Sequence, residues 1–336
     1  MMTMETIESS QQQWHGIISG FTDTNLIQLW EYGSTKRELQ GWQMVHHIFC
    51  VDGKLVGAAQ AMVKYIPLVR RGVVWINRAP LWQVNERVND LSLLSPMLEA
   101  LSHYWVQERG MYLRVAPTMF DTEEARALVE RAGFHVLDDT QWFSARVDLQ
   151  KPIEILRADL EKKWRNCLKK AEALGVVYTI GNAPHDMTRL VEDYEVFLKQ
   201  KDFSTAVTPG FVAYLHGLLP HDRKMWVLTA MCDRHHLGSI LLASYNSTVE
   251  YLVGALSEDG KRVNAGQYLL WNGIREMKQR GYHVFDLGGM DPKKTPPGIF
   301  HFKAGLAGVP YQLLGACEAY RGIIARGIRF LVQSRL

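Results

Sequence analysis

The sequence predicts an α/β chain of the α+β kind, with two tandem units that each carry a mixed, largely antiparallel sheet and flanking helices. One observation behind this is an order of elements used twice: three strands of an antiparallel meander, a helix closed by glycine, and a further strand. Another is a local echo of the junction. Gln107-Glu108-Arg109-Gly110-Met111-Tyr112 stands beside Lys278-Gln279-Arg280-Gly281-Tyr282-His283, each a basic helix end, a glycine cap and a new strand. A chain of 336 residues, 47% hydrophobic and 22% charged, has room for about two domains of ordinary globular composition.

In the first half, residues 44–51 and 55–65 read as strands joined at Asp52-Gly53, a dipeptide that accepts the positive φ of a tight hairpin turn. Residues 73–76 form a third strand. A helix over 90–109 closes at Gly110, a strand covers 111–115, and a short helix over 122–132 ends at Gly133. Residues 151–183 differ in composition. Their helix turns Leu160, Trp164, Cys167, Leu168, Ala171 and Leu174 to one face, while Lys162, Arg165 and Lys169 gather on another with Lys163 and Lys170 beside them. In the second half, 225–232, 237–245 and 249–255 read as strands, 266–280 as a helix stopping at Gly281, and 282–287 as a strand. The domains expected are therefore 1–150 and 151–320, followed by a basic tail, 321–336.

No apolar stretch approaches the roughly 18 residues that span a bilayer, and the N-terminus lacks a basic start before an apolar core, so a cytoplasmic protein is expected. Cys50, Cys167, Cys232 and Cys317 lack metal-ligand or disulfide-framework spacing, and neither a metal nor a redox cofactor is expected. His46-His47 and His235-His236 are adjacent pairs, which in a strand point to opposite faces. Charge is uneven along the chain. Residues 1–150 hold 13 Lys/Arg and 17 Asp/Glu, leaving 25 basic and 18 acidic residues for 151–336. The electropositive half fits a phosphate-rich partner, and equally a solvated surface.

Lys303 is the lysine with most chemical promise. It stands between Phe300, Phe302 and Leu306, before Gly305 and Gly308, where apolar neighbours would desolvate its ammonium and fix its direction. It would then stabilise a developing oxyanion or bind a phosphate; a surface lysine on a short helix is the plain alternative. Lys36 closes a second segment, 28–37, in which Trp30, Tyr32 and Gly33 precede a basic pair. It is an anion-binding candidate, or one of two solvated lysine and arginine side chains on a helix anchored by Trp30 and Leu39. Arg262-Val263-Asn264-Ala265-Gly266-Gln267 sits where acyl-CoA-dependent N-acetyltransferases carry a pyrophosphate loop, but Ala265 and Gln267 replace its first and last glycines. Asp286, before Gly288-Gly289, suits positioning or proton transfer, or simply caps the turn that follows. The chain has no G-x-S-x-G, HExxH or Walker lysine loop.

Six segments in register resemble the Fem family of aminoacyl-tRNA-dependent peptidyltransferases, from about residue 22 to residue 320. They are Gln28-x-Trp30-x-x-Gly33-x-x-Lys36, Arg78-Ala79-Pro80-Leu81-Trp82, Lys163-Trp164-Arg165-Asn166-x-Leu168-Lys169-Lys170, Leu269-Leu270-Trp271-x-x-Ile274, Asp286-Leu287-Gly288-Gly289 and Phe302-Lys303-x-Gly305-Leu306-x-Gly308. The resemblance implies two tandem acetyltransferase-like (GNAT) domains, the first on the acceptor side and the second on the donor side. It implies transfer of an amino acid from aminoacyl-tRNA to an amine on a peptidoglycan precursor, the acceptor being UDP-linked or lipid-linked muropeptide. Lys36 would meet the acceptor phosphate, with Trp30, Arg78 and Lys201 also on the acceptor side. Phe302 and Lys303 would meet the tRNA acceptor end and the transferred carbonyl, and Lys162, Arg165 and Lys169 the tRNA or precursor phosphates.

No cofactor is implied, coenzyme A is disfavoured, and a monomer is expected, with peripheral contact to the inner face of the membrane through the basic amphipathic stretch 321–331. Three positions depart from the family: Lys201 where an arginine is usual, Ala116-Pro117 where some members have an aspartate before the proline, and no charged heptads for a coiled-coil arm. Three alternatives stand beside this reading: an acyl-CoA-dependent N-acyltransferase, tRNA-dependent aminoacylation of a natural product or surface polysaccharide, and a non-catalytic nucleic-acid or membrane-surface binder.

Overall fold

The computed structural model describes residues 2–84, 91–201 and 207–333. Contacts divide the chain into two units, Met1–Trp142 with Gln312–Leu336, and Phe143–Tyr311. The divisions expected at 150/151 and 320/321 thus lie at 142/143 and 311/312. The reason is strand pairing: residues 143–148 already belong to the second sheet, and Cys317–Ala319 return to the first. The tail 321–336 is accordingly part of the first unit.

In the first unit β1 (Met2–Ile7), β2 (Gln43–Val51), β3 (Lys54–Tyr65), β4 (Gly72–Asn77), β5 (Tyr112–Ala116) and β6 (His135–Val136) join the returning strand Cys317–Ala319. The order is β1-β2-β3-β4-β5, then Cys317–Ala319, then β6. Among the described residues of this sheet only β4 and β5 run parallel. The hairpin turn has φ of 49° at Asp52 and 76° at Gly53, as the dipeptide predicts. Helices α1 (Gln11–Ile18), α2 (Trp30–Gln40), α3 (Leu94–Ser102) and α4 (Glu123–Arg131) flank the sheet. Leu94, Met97, Leu98 and Leu101 of α3 pack with Phe49, Ala59, Val74 and Leu113 in its core.

The helix read over 90–109 is shorter and less regular: Asp90 lies outside the described residues, and α3 passes at His103–Glu108 into a π-helical turn. There Trp105 donates its indole N–H to His47 Nε2 at 3.0 Å. β1 and α1 add to the expected elements. Ser10 caps α1 through a reciprocal bond with Gln13, a box readable in the sequence. Leu39 does not anchor α2, being 47% exposed one residue from the helix end.

The second unit is built from β7 (Trp142–Asp148), α5 (Ile153–Asp159), α6 (Lys162–Ala173), β8 (Val177–Gly181), α7 (Pro184–Lys201), α8 (Pro209–Leu218), β9 (Trp226–Cys232) and β10 (His235–Tyr245). There follow β11 (Thr248–Leu256), α9 (Glu258–Arg262), α10 (Ala265–Gln279), β12 (Val284–Asp286), α11 (Pro297–Ala304) and β13 (Val309–Leu313); Trp142 at the start of β7 and Gln312 and Leu313 at the end of β13 belong to the first unit. Its sheet has the order β13-β7-β12-β11-β10-β9-β8, with β11 and β12 parallel. The chain ends with β14 (Cys317–Ala319) and α12 (Gly322–Gln333) in the first unit.

Trp164, Leu168 and Ala171 are buried, as helical spacing predicts, whereas Leu160, expected on the same helix face, is buried from the extended link between α5 and α6. Cys167 is half-buried, and Leu174 is exposed because α6 ends at Ala173 and Leu174 sits in the capping turn. The adjacent histidines do diverge: His46 stacks on Trp14 at 4.0 Å, while His47 lies edge-on to Tyr104 and Trp105. Burial lowers His46 to about 4 and His47 to about 3, so both are neutral near pH 7. Among the described residues no helix is long and apolar enough to cross a membrane.

Candidate functional site

In the second unit a parting of two parallel strands makes the site. β11 and β12 pair only as far as Glu250 opposite Asp286. Beyond that point β11 continues along β10 to Leu256, whereas the chain after Asp286 stays with β7: Leu287 N–H donates to the Ala145 carbonyl at 3.0 Å and Met290 N–H to that of Phe143 at 2.7 Å. Gly288 makes the turn with φ of 68°, and a Cβ there would lie 2.7 Å from the Tyr251 carbonyl oxygen. Into this notch α11 sends Lys303. Its ammonium donates to the Gly289 carbonyl at 3.0 Å and lies 5.3 Å from the centre of the Tyr251 ring.

Lys303 is only 8% exposed, and burial lowers it from 10.5 to about 8 against the opposing pull of Glu250 and Asp286. The expectation of a partly desolvated, directed ammonium matches this environment. Burial also holds the Tyr251 phenol well above its usual range, hence protonated. Asp286 serves as an anchor. It accepts from Tyr311 at 2.6 Å, from the Gly288 N–H at 3.0 Å and from Arg146 Nε at 3.4 Å, and the Ser144 hydroxyl stands 2.6 Å from it. Both readings of Asp286, positioning and capping, thus describe the same carboxylate. Tyr245 donates to Glu250 at 3.1 Å, placing a second buried carboxylate near the ammonium.

Two distant motifs meet at α11. Trp164 of α6 donates its indole N–H to the Phe302 carbonyl at 2.9 Å, and Glu161 N–H bonds the Gly305 carbonyl at 3.0 Å. A Cβ on Gly305 would fall 2.5 Å from Trp164 Cδ1, so glycine is what lets the indole close over the helix end. The Phe302 ring approaches the Trp164 ring at 6.4 Å and packs by Gly266 at the start of α10. On the other side of α6, Lys162 and Lys169 are exposed, while Arg165 is half-buried and donates to the Ala158 carbonyl at 2.8 Å, closing the end of α5. The degraded loop around Arg262 holds a short helix, α9, in which Arg262 pairs with Asp259.

In the first unit the motif from Gln28 to Lys36 divides into buried supports and one lysine that reaches beyond them. Gln28 takes the Gln60 N–H at 2.7 Å and donates to the Asn77 carbonyl at 2.9 Å, imitating a strand neighbour for β3. Gly33 lets α2 reach the sheet, since a Cβ there would lie 2.5 Å from Met44 Sδ and 2.6 Å from Gln60 Oε1. Trp30 tilts on His46 at 5.1 Å. Lys36 emerges from this base, donating to Gln40 Oε1 at 2.8 Å; burial and the nearby Lys64 lower its pKa.

Lys64 and Trp42 are the residues the sequence reading missed here. Lys64 donates to the Gln40 carbonyl at 3.1 Å and lies 5.7 Å from the Trp42 ring. The hairpin register, Gln43 opposite Val63, was the signal that sets Trp42 beside Lys64. Arg78 stacks on Trp142 at 4.6 Å, and its carbonyl accepts from Asn25 at 2.9 Å. Asp23, also unforeseen, accepts from the N–H groups of Trp82 and Gln83, yet burial raises it to about 7. The Lys201 side chain lies outside the described residues. The structure therefore brings Lys303, Phe302 and Asp286 together in one unit, and sets Lys36 and Trp30 on one helix of the other, with Arg78 elsewhere in that unit.

Residues 158–304 match the acetyltransferase (GNAT) domain family, a span that includes α6, the parted strands and Lys303. No curated protein matches the sequence. Among solved structures, FemX superposes with a TM-score of 0.80 over 98% of this chain and 99% of its own, at 14% identity. L-PGS from Bacillus licheniformis gives 0.55 over 96% of each chain at 13% identity. A tandem GNAT protein from the clavulanic acid biosynthesis pathway gives 0.51 over 96% of this chain and 99% of its own, at 11% identity. The chain has a FemX-like tandem acetyltransferase (GNAT) fold.

Proposed function

We propose that the protein is an aminoacyltransferase that moves an amino acid from aminoacyl-tRNA to an amine on a peptidoglycan-precursor peptide. The observation that carries this reading is the buried Lys303 ammonium at the notch between β11 and β12. The ammonium is committed to Gly289 by one hydrogen bond and donates no other among the described residues, so donors remain for an oxygen that becomes negative. An aminoacyl ester is already activated, so alignment and charge stabilisation suffice. The neutral amine nitrogen attacks the ester carbonyl carbon, the C–N bond forms, and the carbonyl electron pair moves to an oxyanion facing Lys303. Collapse expels the ribose oxygen, which takes the proton given up by the nitrogen.

Lys36 with Lys64 supplies paired positive charge for the acceptor phosphate, and the exposed Lys162 and Lys169 offer contacts to tRNA phosphates. The FemX likeness and the six Fem-like segments support the donor. An acyl-CoA-dependent N-acyltransferase is the second reading, favoured by the acetyltransferase-domain match over 158–304. Against it, Arg262 is tied to Asp259, and Phe302 with Leu256 packs over Gly266 at the start of α10. The test incubates purified protein with tRNAs charged with labelled amino acids and UDP-linked or lipid-linked muropeptide, beside a reaction with labelled acetyl-CoA. Label passing from tRNA to muropeptide is expected; transfer from acetyl-CoA alone would overturn the donor.

A further inference from the structure

One end of the first sheet gathers two surfaces that are both apolar and basic. Between β3 and β4 the chain reads Ile66-Pro67-Leu68-Val69-Arg70-Arg71, and at its tip Leu68 is fully exposed and Val69 is 43% exposed. An open hollow of about 580 Å³ lies between this tip and Arg109. Strand register brings α12 to the same end. Val73 pairs with Tyr112, and Leu113 with Ala319, so Gly72 and Tyr320 are separated by a single strand. That spacing is about 10 Å. The Tyr320 ring stands 6.2 Å from that of Tyr112, and α12 begins two residues later.

α12 turns Ala325 and Ile328 inward, and Arg329 binds the buried Glu318 at 2.6 Å. Its outward face carries Ile323, 88% exposed, Ile324 and Phe330, 73% exposed, with Arg321 and Arg326 among them. No acidic residue occurs in 64–72 or after Glu318, where Lys64, Arg70, Arg71, Arg321 and Arg326 supply the charge.

We propose that the tip 66–71 and the outward face of α12 form a docking surface for an anionic phospholipid bilayer. The arginines meet lipid phosphates while Leu68, Ile323 and Phe330 enter the boundary between headgroups and acyl chains. An RNA backbone would take the arginines but leave the large aliphatic and aromatic side chains in water. Such docking presents the enzyme to an acceptor at the membrane, and it stands or falls independently of the reaction proposed above.

Vesicle flotation tests it without reading transfer. Purified full-length protein is mixed with vesicles of phosphatidylglycerol and phosphatidylcholine in equal parts, or of phosphatidylcholine alone, and tRNA affinity is measured separately by fluorescence anisotropy. The expected result is flotation with the anionic vesicles, weakened about tenfold or more on neutral ones and by Leu68→Asp combined with Ile323→Asp, with circular dichroism and tRNA affinity unchanged. The proposal is overturned if the protein does not float, if the double variant floats as well as its parent, or if the variant loses tRNA affinity instead.

Discussion

Replacing Lys303 with methionine should stabilise the protein at neutral pH while removing most of the transfer activity. Burial moves the ammonium from 10.5 to about 8, a displacement equivalent to about 3 kcal/mol. The unfolded chain keeps this proton up to its ordinary pKa, and the native state gives it up near 8. Stability therefore rises with pH between those values, and the cost of the charge is present in full below 8. Lys303→Met removes that cost at pH 7 but leaves the Gly289 carbonyl without its donor, a loss of about 1 kcal/mol. The net expectation is a gain of about 2 kcal/mol at pH 7 that turns into a loss of up to about 1 kcal/mol by pH 10.5, where the parent lysine is itself neutral and the missing hydrogen bond remains. Urea unfolding at both pH values, with the slope checked for constancy, measures it. The transfer rate should fall by about a hundredfold or more, the scale of losing one oxyanion donor. A variant equally destabilised at both pH values would refute the desolvation argument, and one that keeps near-normal turnover would refute the catalytic role.

If Lys303 acts as an ammonium, kcat of the parent relative to that of Lys303→Arg declines as pH rises through about 8, because guanidinium keeps its proton while deprotonation of the acceptor amine raises both rates alike; a ratio that rises instead would assign the lysine the opposite role, of a base. Gly305→Ala places a methyl 2.5 Å from Trp164 Cδ1, so a loss of about 1–3 kcal/mol in thermal unfolding is expected, together with lower kcat as α11 shifts. Unchanged Tm and kcat would show that the indole does not fix the helix. Lys36→Ala should raise the acceptor KM about tenfold or more with little change in that of the aminoacyl-tRNA, and Lys64→Ala should act in the same direction less strongly, its ammonium being more exposed. Steady-state titrations of each substrate separate the two, and an acceptor KM unmoved by both substitutions would remove the phosphate site.

Local chemistry made much of this protein legible from its residues. Asp52-Gly53 dictates its turn because few other pairs accept two positive φ values, and the glycines at 110 and 281 close helices for the same reason. Helical spacing alone sorts Trp164, Leu168 and Ala171 to the buried face of α6, whereas the desolvation of Lys303, expected from its apolar sequence neighbours, comes with the Tyr251 ring and the Gly288-Gly289 turn close to the ammonium. Elements whose apolar pattern is weak, such as β1 and α7, escaped that reading.

Tertiary structure decided what depends on residues far apart in the chain. That Gln28 stands in for a strand, that Gly33 and Gly305 are close-contact positions, and that Trp164 holds the helix of Lys303 follow from residues meeting across 11 to 141 positions. The unit boundaries moved because hydrogen bonding returned Cys317–Ala319 to the first sheet, which no local pattern encodes. The notch itself is such a decision: β11 and β12 part after Glu250 and Asp286 because each keeps a different neighbour, and a strand's choice of partner is made by the whole sheet.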